Sequence, residues 1–202
     1  MAISVLVVGL LFLAIVSSAK ATMQPKILNL TITEQRTTTP GSFVTVVASL
    51  ENNSLAEQTY NIYTILPHEW ELLPSPTTIT LPPSGGQKIF FTALVPERTY
   101  AGVYPFQVLV KTIDNDEIAL TANVEVLEKR QLVLMPSETL QILPGTVASH
   151  RVRIYNAGNI PETIHLSVDS PSGWPVHILN QKLQLNPWTS TELDIKVAIG
   201  KQ

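Results

Sequence analysis

The residues that could bind a metal or activate a nucleophile are scattered along this chain. Of its four histidines, His150, His165 and His177 lie on stretches of alternating apolar residues, but not on one shared face. A histidine metal site needs convergent ligands. Ser149 is next to His150 only in sequence, and neighbours along a strand point to opposite faces, so the two are not a nucleophile with its base. The sequence therefore predicts that the protein is not an enzyme.

Asp114, Asp116 and Glu117 form one acidic cluster, on a segment with the composition of a hairpin loop. Calcium takes about six to eight oxygen ligands, which is more than one hairpin tip supplies, so we expect a solvated turn. The chain has no cysteine, which excludes disulfides and thiolate metal sites. We expect no metal and no cofactor.

A tandem repeat places these residues. One part of the chain matches another without a gap over roughly sixty residues, at an offset of 104. The matched pairs include Gly41 with Gly145, Asn52 with Asn156, Trp70 with Trp174, Leu81 with Leu185 and Pro83 with Pro187. We therefore predict two domains, named here domain one (residues 22–128) and domain two (residues 129–202), joined by a short spacer at residues 128–130.

Period-two alternation predicts β-strands throughout the repeat, with no helical period after the first residues. The strands expected in domain one span residues 27–33, 43–50, 59–66, 87–95, 104–112 and 118–127, with an edge segment around Trp70. This density of short strands is typical of an immunoglobulin-like sandwich. Tyr104, just after a turn at Gly102, is placed like a tyrosine corner, whose hydroxyl bonds to backbone across the loop. The predicted fold is all-β, with two tandem immunoglobulin-like β-sandwiches.

Composition narrows the class of partner. Charged residues make up 14% of the chain, against ~25% in an average globular protein. Apolar residues make up 45%, and 15 prolines suit short buried strands joined by stiff turns. The net charge of −3 gives no electrostatic footprint for nucleic acid. We expect no nucleic-acid partner.

Residues 1–21 are predicted to be a signal peptide. Residues 5–16 are apolar apart from Gly9, too few for a comfortable membrane span, and Ala19-Lys20-Ala21 fits a cleavage site. Because residues 1–4 contain no lysine or arginine, an uncleaved membrane anchor is the alternative. In either case we expect the rest of the chain to be extracytoplasmic, whether periplasmic, secreted or at the cell surface.

Three tryptophans and two asparagines are further candidates. Trp70 and Trp174 recur in the repeat, and we expect them to plug the ends of the two sandwiches. Trp188 follows a proline in a turn, so we expect it to be exposed, as a candidate contact for sugar or protein. Asn29 and Asn52 match the acceptor pattern for N-glycosylation.

The order of the motifs resembles a known family. Pro-Gly, a strand ending in Asn, Gly-Trp, and Leu-x-Pro before another strand are similar to bacterial and archaeal immunoglobulin-like repeats. These are the alpha-galactosidase-associated (NPCBM-associated) type of secreted and cell-surface proteins. The fuller match is in domain two, at Leu143-Pro144-Gly145, Asn156-Ala157-Gly158-Asn159, Ser172-Gly173-Trp174 and Leu185-Asn186-Pro187. In domain one, Glu69 stands where the motif has glycine. The resemblance implies a spacer or adhesive module and no catalytic residue.

We expect domain two to lack counterparts of the last two strands of domain one. At the same offset they would lie near residues 208 to 231, beyond the 202 residues of the chain. In the immunoglobulin arrangement these strands pair with the third strand and cover the inner faces of the second and fifth. We therefore expect an open face and an unpaired third strand at residues 163–168. The predicted partner-binding residues are Val152, Ile154, Ile164, Leu166, Ile195 and Val197.

Two classes of function follow. The first is a non-catalytic structural or interaction protein, a subunit or adaptor of a cell-surface or periplasmic assembly, whose domain two is completed by a strand from a partner or a second copy. The plain alternative to completion in trans is a continuation of the chain that supplies the strands in cis. The second class is a carbohydrate-binding accessory module of a secreted glycan-active system. Membrane contact is expected only through an uncleaved N-terminal segment.

Overall fold

The computed structural model describes residues 27–33, 36–114, 116–136, 143–170, 173–178 and 181–200. These residues form β-strands and connecting turns, and none of them is helical, which confirms the all-β prediction. Within these ranges there is accordingly no helix long and apolar enough to span a membrane. The predicted signal peptide lies outside the described residues.

Domain one is a sandwich of two sheets. Its strands are β1 (Ile27–Thr33), β2 (Arg36–Thr38), β3 (Phe43–Asn52), β4 (Gln58–Ile65), β5 (Glu71–Leu72), β6 (Thr78–Leu81), β7 (Gly86–Leu94), β8 (Gly102–Thr112) and β9 (Glu117–Val126). One sheet has the order β1-β3-β7-β5 and the other the order β2-β9-β8-β4-β6. Neighbouring strands are antiparallel, except for the parallel pair β2 and β9.

The core of domain one follows from the alternation of apolar residues. Every second side chain of β3 is buried, and so is every second side chain in most of β8, so the two sheets face each other with their apolar sides. The six predicted strands correspond to β1, β3, β4, β7, β8 and β9. The sequence did not predict β2 or β6, because three or four residues are too few for alternation to be recognised. Trp70 lies next to β5, an edge strand, as expected.

Domain two repeats part of this arrangement. Its strands are β10 (Leu132–Pro136), β11 (Val147–Asn156), β12 (Glu162–His165), β13 (Val176–Ile178), β14 (Lys182–Leu185) and β15 (Ser190–Ala198). One sheet has the order β10-β11-β15-β13, and the other contains only β12 and β14. The described part of domain two therefore contains no counterparts of β8 and β9.

The repeat extends to the backbone conformation. Three pairs of residues, each separated by 104, have a positive φ angle in both domains. The pairs are Gly41 (76°) with Gly145 (81°), Glu69 (64°) with Gly173 (70°), and Ser84 (56°) with Trp188 (56°). Non-glycine residues are uncommon in this left-handed region. Glu69 nevertheless makes the same turn as the glycine of the motif.

Asn52 and Asn156 hold the same turn in both domains. Each is fully buried, and each donates from Nδ2 to backbone carbonyl oxygens at 2.9 to 3.1 Å. Asn52 donates to Ala56 and Leu81, and Asn156 donates to their counterparts Ile160 and Leu185. In each case Oδ1 accepts a bond from the backbone N–H two residues later. Because a buried amide needs partners for both its donor and its acceptor, this position has to be asparagine in each copy.

The predicted tyrosine corner is confirmed. The hydroxyl of Tyr104 donates to the carbonyl oxygen of Tyr100 at 2.9 Å. The ring of Tyr104 packs against Trp70 with 5.6 Å between ring centroids. Burial raises the pKa of the Tyr104 hydroxyl, and the nearby Tyr100 raises it further. The corner thus fixes the loop that leads into β8.

Candidate functional site

The two halves of the repeat diverge at the second sheet. In domain one, β4 pairs with β8, and β8 pairs with β9. In the described part of domain two, β12 pairs with β14 alone. The apolar side of the sheet β10-β11-β15-β13 is therefore covered over only part of its width. We call this side, together with the free edge of β12, the open face.

Five of the six predicted partner-binding residues are half-exposed on the open face. These are Val152, Ile164, Leu166, Ile195 and Val197. Ile154 differs, because it is only 2% exposed and forms a small core with Leu185 and Leu193. Ile154 therefore lies beneath the open face. The expectation that all six residues are open to a partner is wrong for Ile154.

The counterparts of the five half-exposed residues in domain one are all buried. These counterparts are Ala48, Tyr60, Ile62, Phe91 and Ala93, and none is more than 4% exposed. Both copies therefore carry the residues of a sandwich core at these positions. Fully burying one side chain of this size is worth about 1.5 to 3 kcal/mol. Covering the open face would therefore stabilise domain two substantially.

The open face includes an apolar cleft between β10 and β12, with a volume of about 310 Å³. Its lining includes Leu132, Leu134, Ile154, Ile164 and Leu166. Leu134 is 64% exposed, whereas Leu30, the same residue type at the matching position of domain one, is 5% exposed. The cleft therefore exposes a residue whose counterpart in domain one is buried between the two sheets.

β12 is shorter than predicted, and the lack of a described counterpart of β8 explains why. It covers four residues instead of the expected 163–168. In domain one, β6 pairs only with Gln58 to Asn61 at the start of β4. Most of the remainder of β4 pairs with β8 alone. In domain two β8 has no described counterpart. Residues 166–169 therefore lack the strand pairing that keeps the matching end of β4 extended.

Trp174 shows the same difference at the end of the sandwich. Trp70 is 7% exposed, packed against Tyr104, as expected for a plug. Trp174 follows a turn of the same shape but is 43% exposed, so the expected plug is wrong there. The physical reason is that the described part of domain two has no counterpart of Tyr104 to cover the indole.

The two domains are joined by a hydrogen-bonded junction centred on Asn159, which is 1% exposed. Its Oδ1 accepts from the N–H of Lys129 at 2.7 Å, and its Nδ2 donates to the carbonyl oxygen of Leu127 at 3.0 Å. Its own N–H donates to the carbonyl oxygen of Lys129 at 3.0 Å, and its carbonyl oxygen accepts from Ala101 of domain one at 3.3 Å. Leu55, at the matching position of domain one, is 97% exposed. Asn159 therefore fastens the spacer to both domains.

Gly158 and Trp188 complete the junction. A Cβ on Gly158 would lie 2.3 Å from the carbonyl oxygen of Lys129, so only glycine allows this close approach. Trp188 is half-buried, and its ring meets Tyr100 edge-on with 4.9 Å between centroids. The expectation that Trp188 is exposed is therefore wrong, because domain one supplies an aromatic partner. A role of Trp188 in binding sugar stays a prediction.

The other chemically capable residues are dispersed. His165 and His177 are exposed, whereas His150 is half-buried on the opposite side of the sheet to Ser149. Among the described residues, no three His, Cys, Asp or Glu side chains are close enough to hold a metal ion. Of the acidic cluster, Glu117 pairs with Lys111 at 2.7 Å, and that bond raises the lysine pKa.

The structure also bears on the two glycosylation candidates. A glycan is attached at the side-chain nitrogen of asparagine. That nitrogen of Asn52 is buried and bonded to three carbonyl oxygens, so Asn52 is not available in the folded protein. The pattern match at Asn52 therefore does not mark an accessible acceptor, because the repeat uses the residue to hold a turn. The side chain of Asn29 lies outside the described part of the chain.

Comparison with known proteins gives distant likenesses only. No protein-family model matches the chain, and no curated protein matches it. A FixG-related protein from Vibrio parahaemolyticus is similar, with 11% identity, a TM-score of 0.42 and coverage of 48% of this chain and 94% of that one. A protein of unknown function from Porphyromonas gingivalis W83 has 16% identity, a TM-score of 0.37 and coverage of 84% and 83%. The YadV chaperone has 13% identity, a TM-score of 0.35 and coverage of 84% and 85%. At TM-scores this low, the fold assignment rests on the strand pairing described above.

Proposed function

We propose that the protein is a non-catalytic, extracytoplasmic structural or interaction protein, whose domain two binds an extended segment of a partner protein in place of the missing strands. One observation supports this most directly. Core positions that are buried in domain one are half-exposed at the same repeat positions in domain two. The extracytoplasmic location rests on the predicted signal peptide, and kinship with the immunoglobulin-like repeats of secreted proteins rests on the motif order.

The open face favours an extended segment over other kinds of partner. Beside the apolar cleft lies β12, and within the described part of the chain its pairing with β14 occupies only one of its two edges. A free strand edge is a template for another strand, because its N–H and C=O groups need partners. An added strand would satisfy the edge with its backbone and fill the cleft with alternate side chains. A globular surface would do neither.

The junction gives domain two a defined position for such binding. Asn159 is bonded to backbone on both sides of the spacer, and Trp188 packs against Tyr100. The open face is thereby held in one orientation relative to domain one. This suits an adaptor in a larger assembly, where the direction in which a partner leaves the binding site matters.

The proposal is tested by closing domain two with strands of known fit. A chimera joins a second copy of residues 96–127 to Ile199, which matches Val95 in the repeat. We expect the unmodified chain to bind a hydrophobic dye, and the chimera to bind much less and to unfold at a higher temperature. The measurements are dye fluorescence and thermal unfolding followed by circular dichroism.

The matched control is the same chimera with Phe106, Val108 and Val110 of the appended copy changed to serine. It has the same length and backbone but lacks the side chains that would fill the open face, so dye binding should persist. If the unmodified chain binds no dye and the chimera is no more stable, domain two is already closed. The proposal would then fail.

A further inference from the structure

The incoming strand can be specified further because domain one contains a finished copy of the site. This inference rests on the proposed function. We propose that the partner strand enters antiparallel to β12 in the register that β8 has on β4, and that it places an aromatic ring against Trp174. The partner segment then has an aromatic residue, a second large ring two positions later, and β-branched residues at the next two alternate positions.

The register follows from the pairing of β4 with β8. Thr64 pairs with Val108 and Ile62 pairs with Val110. The counterparts of Thr64 and Ile62 are Val168 and Leu166. The residues of the incoming strand that match Val108 and Val110 therefore lie opposite Val168 and Leu166. Binding in this register extends β12 through residues 166–169.

Backbone hydrogen bonds define which edge of each strand is used. The N–H of Leu166 bonds to Gln181, on the β14 side, just as the N–H of Ile62 bonds to Thr77. Because these groups alternate along a strand, the odd-numbered residues of this segment point their N–H and C=O groups to the free edge. In β8 the N–H of Thr112 bonds to Asp116, towards β9. The N–H of Leu109 therefore faces β4, and that of Val110 does not.

The aromatic requirement comes from Trp174. Its counterpart Trp70 is covered by the ring of Tyr104, with 5.6 Å between centroids, and only 7% of Trp70 stays exposed. Trp174 follows the same left-handed turn but remains 43% exposed. An aromatic residue at the Tyr104 position of the incoming strand would cover it in the same way.

The second ring and the branched residues follow from the other inward side chains of β8. Phe106, Val108 and Val110 are fully buried, and Phe106 meets Phe91 with 6.3 Å between ring centroids. The counterpart of Phe91 is Ile195, which is half-exposed. The ring that matches Phe106 would therefore rest on Ile195. A second copy of this chain could donate β8 only by dismantling its own domain one, which favours a strand from another protein over a swap between two copies.

The test uses a labelled synthetic peptide with the sequence of Gly102–Thr112 and the full chain, with fluorescence anisotropy as the readout. We expect the peptide to bind, and the chimera described above not to bind it, because its open face is filled. Tyr104→Ala in the peptide should weaken binding about three- to ten-fold, as an aromatic pair implies. Trp174→Ala in the chain should do the same, and the two changes together should cost little more than either alone.

Two further arms test the register and the site. N-methylation of the peptide at Leu109 should abolish binding, whereas N-methylation at Val110 should be tolerated. In the chain, Phe90→Ala removes an aromatic side chain that is 59% exposed in domain one, and it should leave binding unchanged. Equal effects of the two N-methyl groups, or additive effects of the tyrosine and tryptophan changes, would overturn the inference.

The peptide and chimera experiments together distinguish a failure of this inference from a failure of the proposed function. If the peptide does not bind although the chimera closes domain two, the strand-acceptor function stands, and the inference that one strand of this pattern is enough for binding is wrong. If neither the peptide nor the appended strands changes domain two, both are wrong.

Discussion

Domain one and domain two use the same repeat, yet they differ sharply in burial. Among the described residues, twenty apolar side chains form the core of domain one and three form that of domain two. Six of the twenty belong to β8 and β9, and the other fourteen all have counterparts in domain two. Only three of those counterparts are buried. The other eleven are half-buried or exposed, which shows that burial at these positions depends on both facing sheets and not on the residue alone.

The largest expected effect is at the matched tryptophans. Trp70→Ala should destabilise domain one by about 3 to 5 kcal/mol, because it removes a buried aromatic side chain and leaves a cavity. Trp174→Ala should cost domain two less than about 1 kcal/mol, since the indole is already 43% exposed. Thermal and urea unfolding of each variant, followed by circular dichroism, would measure both. Equal losses would break the comparison, because they would mean that domain two has a closed core.

The next effect should be the same in both domains. Asn52→Ala and Asn156→Ala each leave buried carbonyl oxygens without their donor, so each should cost about 1 to 3 kcal/mol in its own domain. Asn53→Ala is the control, because that side chain is exposed and should stay within about 0.5 kcal/mol. The same unfolding measurements apply. A loss confined to domain one would mean that the turn of domain two is not under the same constraint.

The sequence predicted the features that depend on local pattern. Alternation located β3, β4, β7, β8 and β9, and the fixed offset predicted that domain two repeats the turns and strands of domain one. The tyrosine corner at Tyr104 was recognisable from the turn that precedes it. These features could be predicted because each depends on a few residues close together in the chain.

The features that the sequence did not reveal depend on contacts between distant segments. Trp188 looked like an exposed turn residue, since nothing near it in sequence shows that Tyr100 packs against it. Asn52 matched a glycosylation pattern, and only the fold shows its amide buried. Asn159 was part of the motif, but nothing in the sequence showed its role at the junction. Each residue takes its role from a neighbour supplied by another part of the structure.

A smaller effect separates two tyrosines of domain one, the half-buried Tyr104 and the fully buried Tyr60. Tyr104→Phe should destabilise the domain by about 0.5 to 1.5 kcal/mol, the net value of the lost hydrogen bond to Tyr100. Tyr60→Phe should cost nothing or stabilise slightly, because its buried hydroxyl has no partner among the described residues. The measurement is the free energy of unfolding of each variant. An unchanged stability in Tyr104→Phe would show that the ring is merely packed.

The smallest expected effect concerns the outer face of domain two, where the copies differ in charge. Arg153 and Glu192 form a cross-strand ion pair at 2.7 Å, whereas Ser49 and Lys88 stand at the matching positions of domain one. The hydrogen bond from Arg153 is the main cause that lowers the pKa of Glu192, with a further contribution from Arg151. The ion pair is exposed, so its contribution is small and salt-sensitive.

The sign of the pH dependence follows from this lowered pKa. A carboxylate whose pKa is lower in the folded state adds stability above its unfolded pKa of about 4.3 and loses it as the pH falls through the folded value. Domain two should therefore lose a little stability as the pH falls from about 5 to below the folded-state pKa. The variant Glu192→Gln should show a flatter profile over that interval, and Lys88→Gln in domain one should leave the profile of domain two unchanged. Because the pair is exposed, the difference between Glu192→Gln and the parent chain should shrink in high salt. If the acid profile of domain two is the same with and without Glu192, the ion pair does not distinguish the two outer faces.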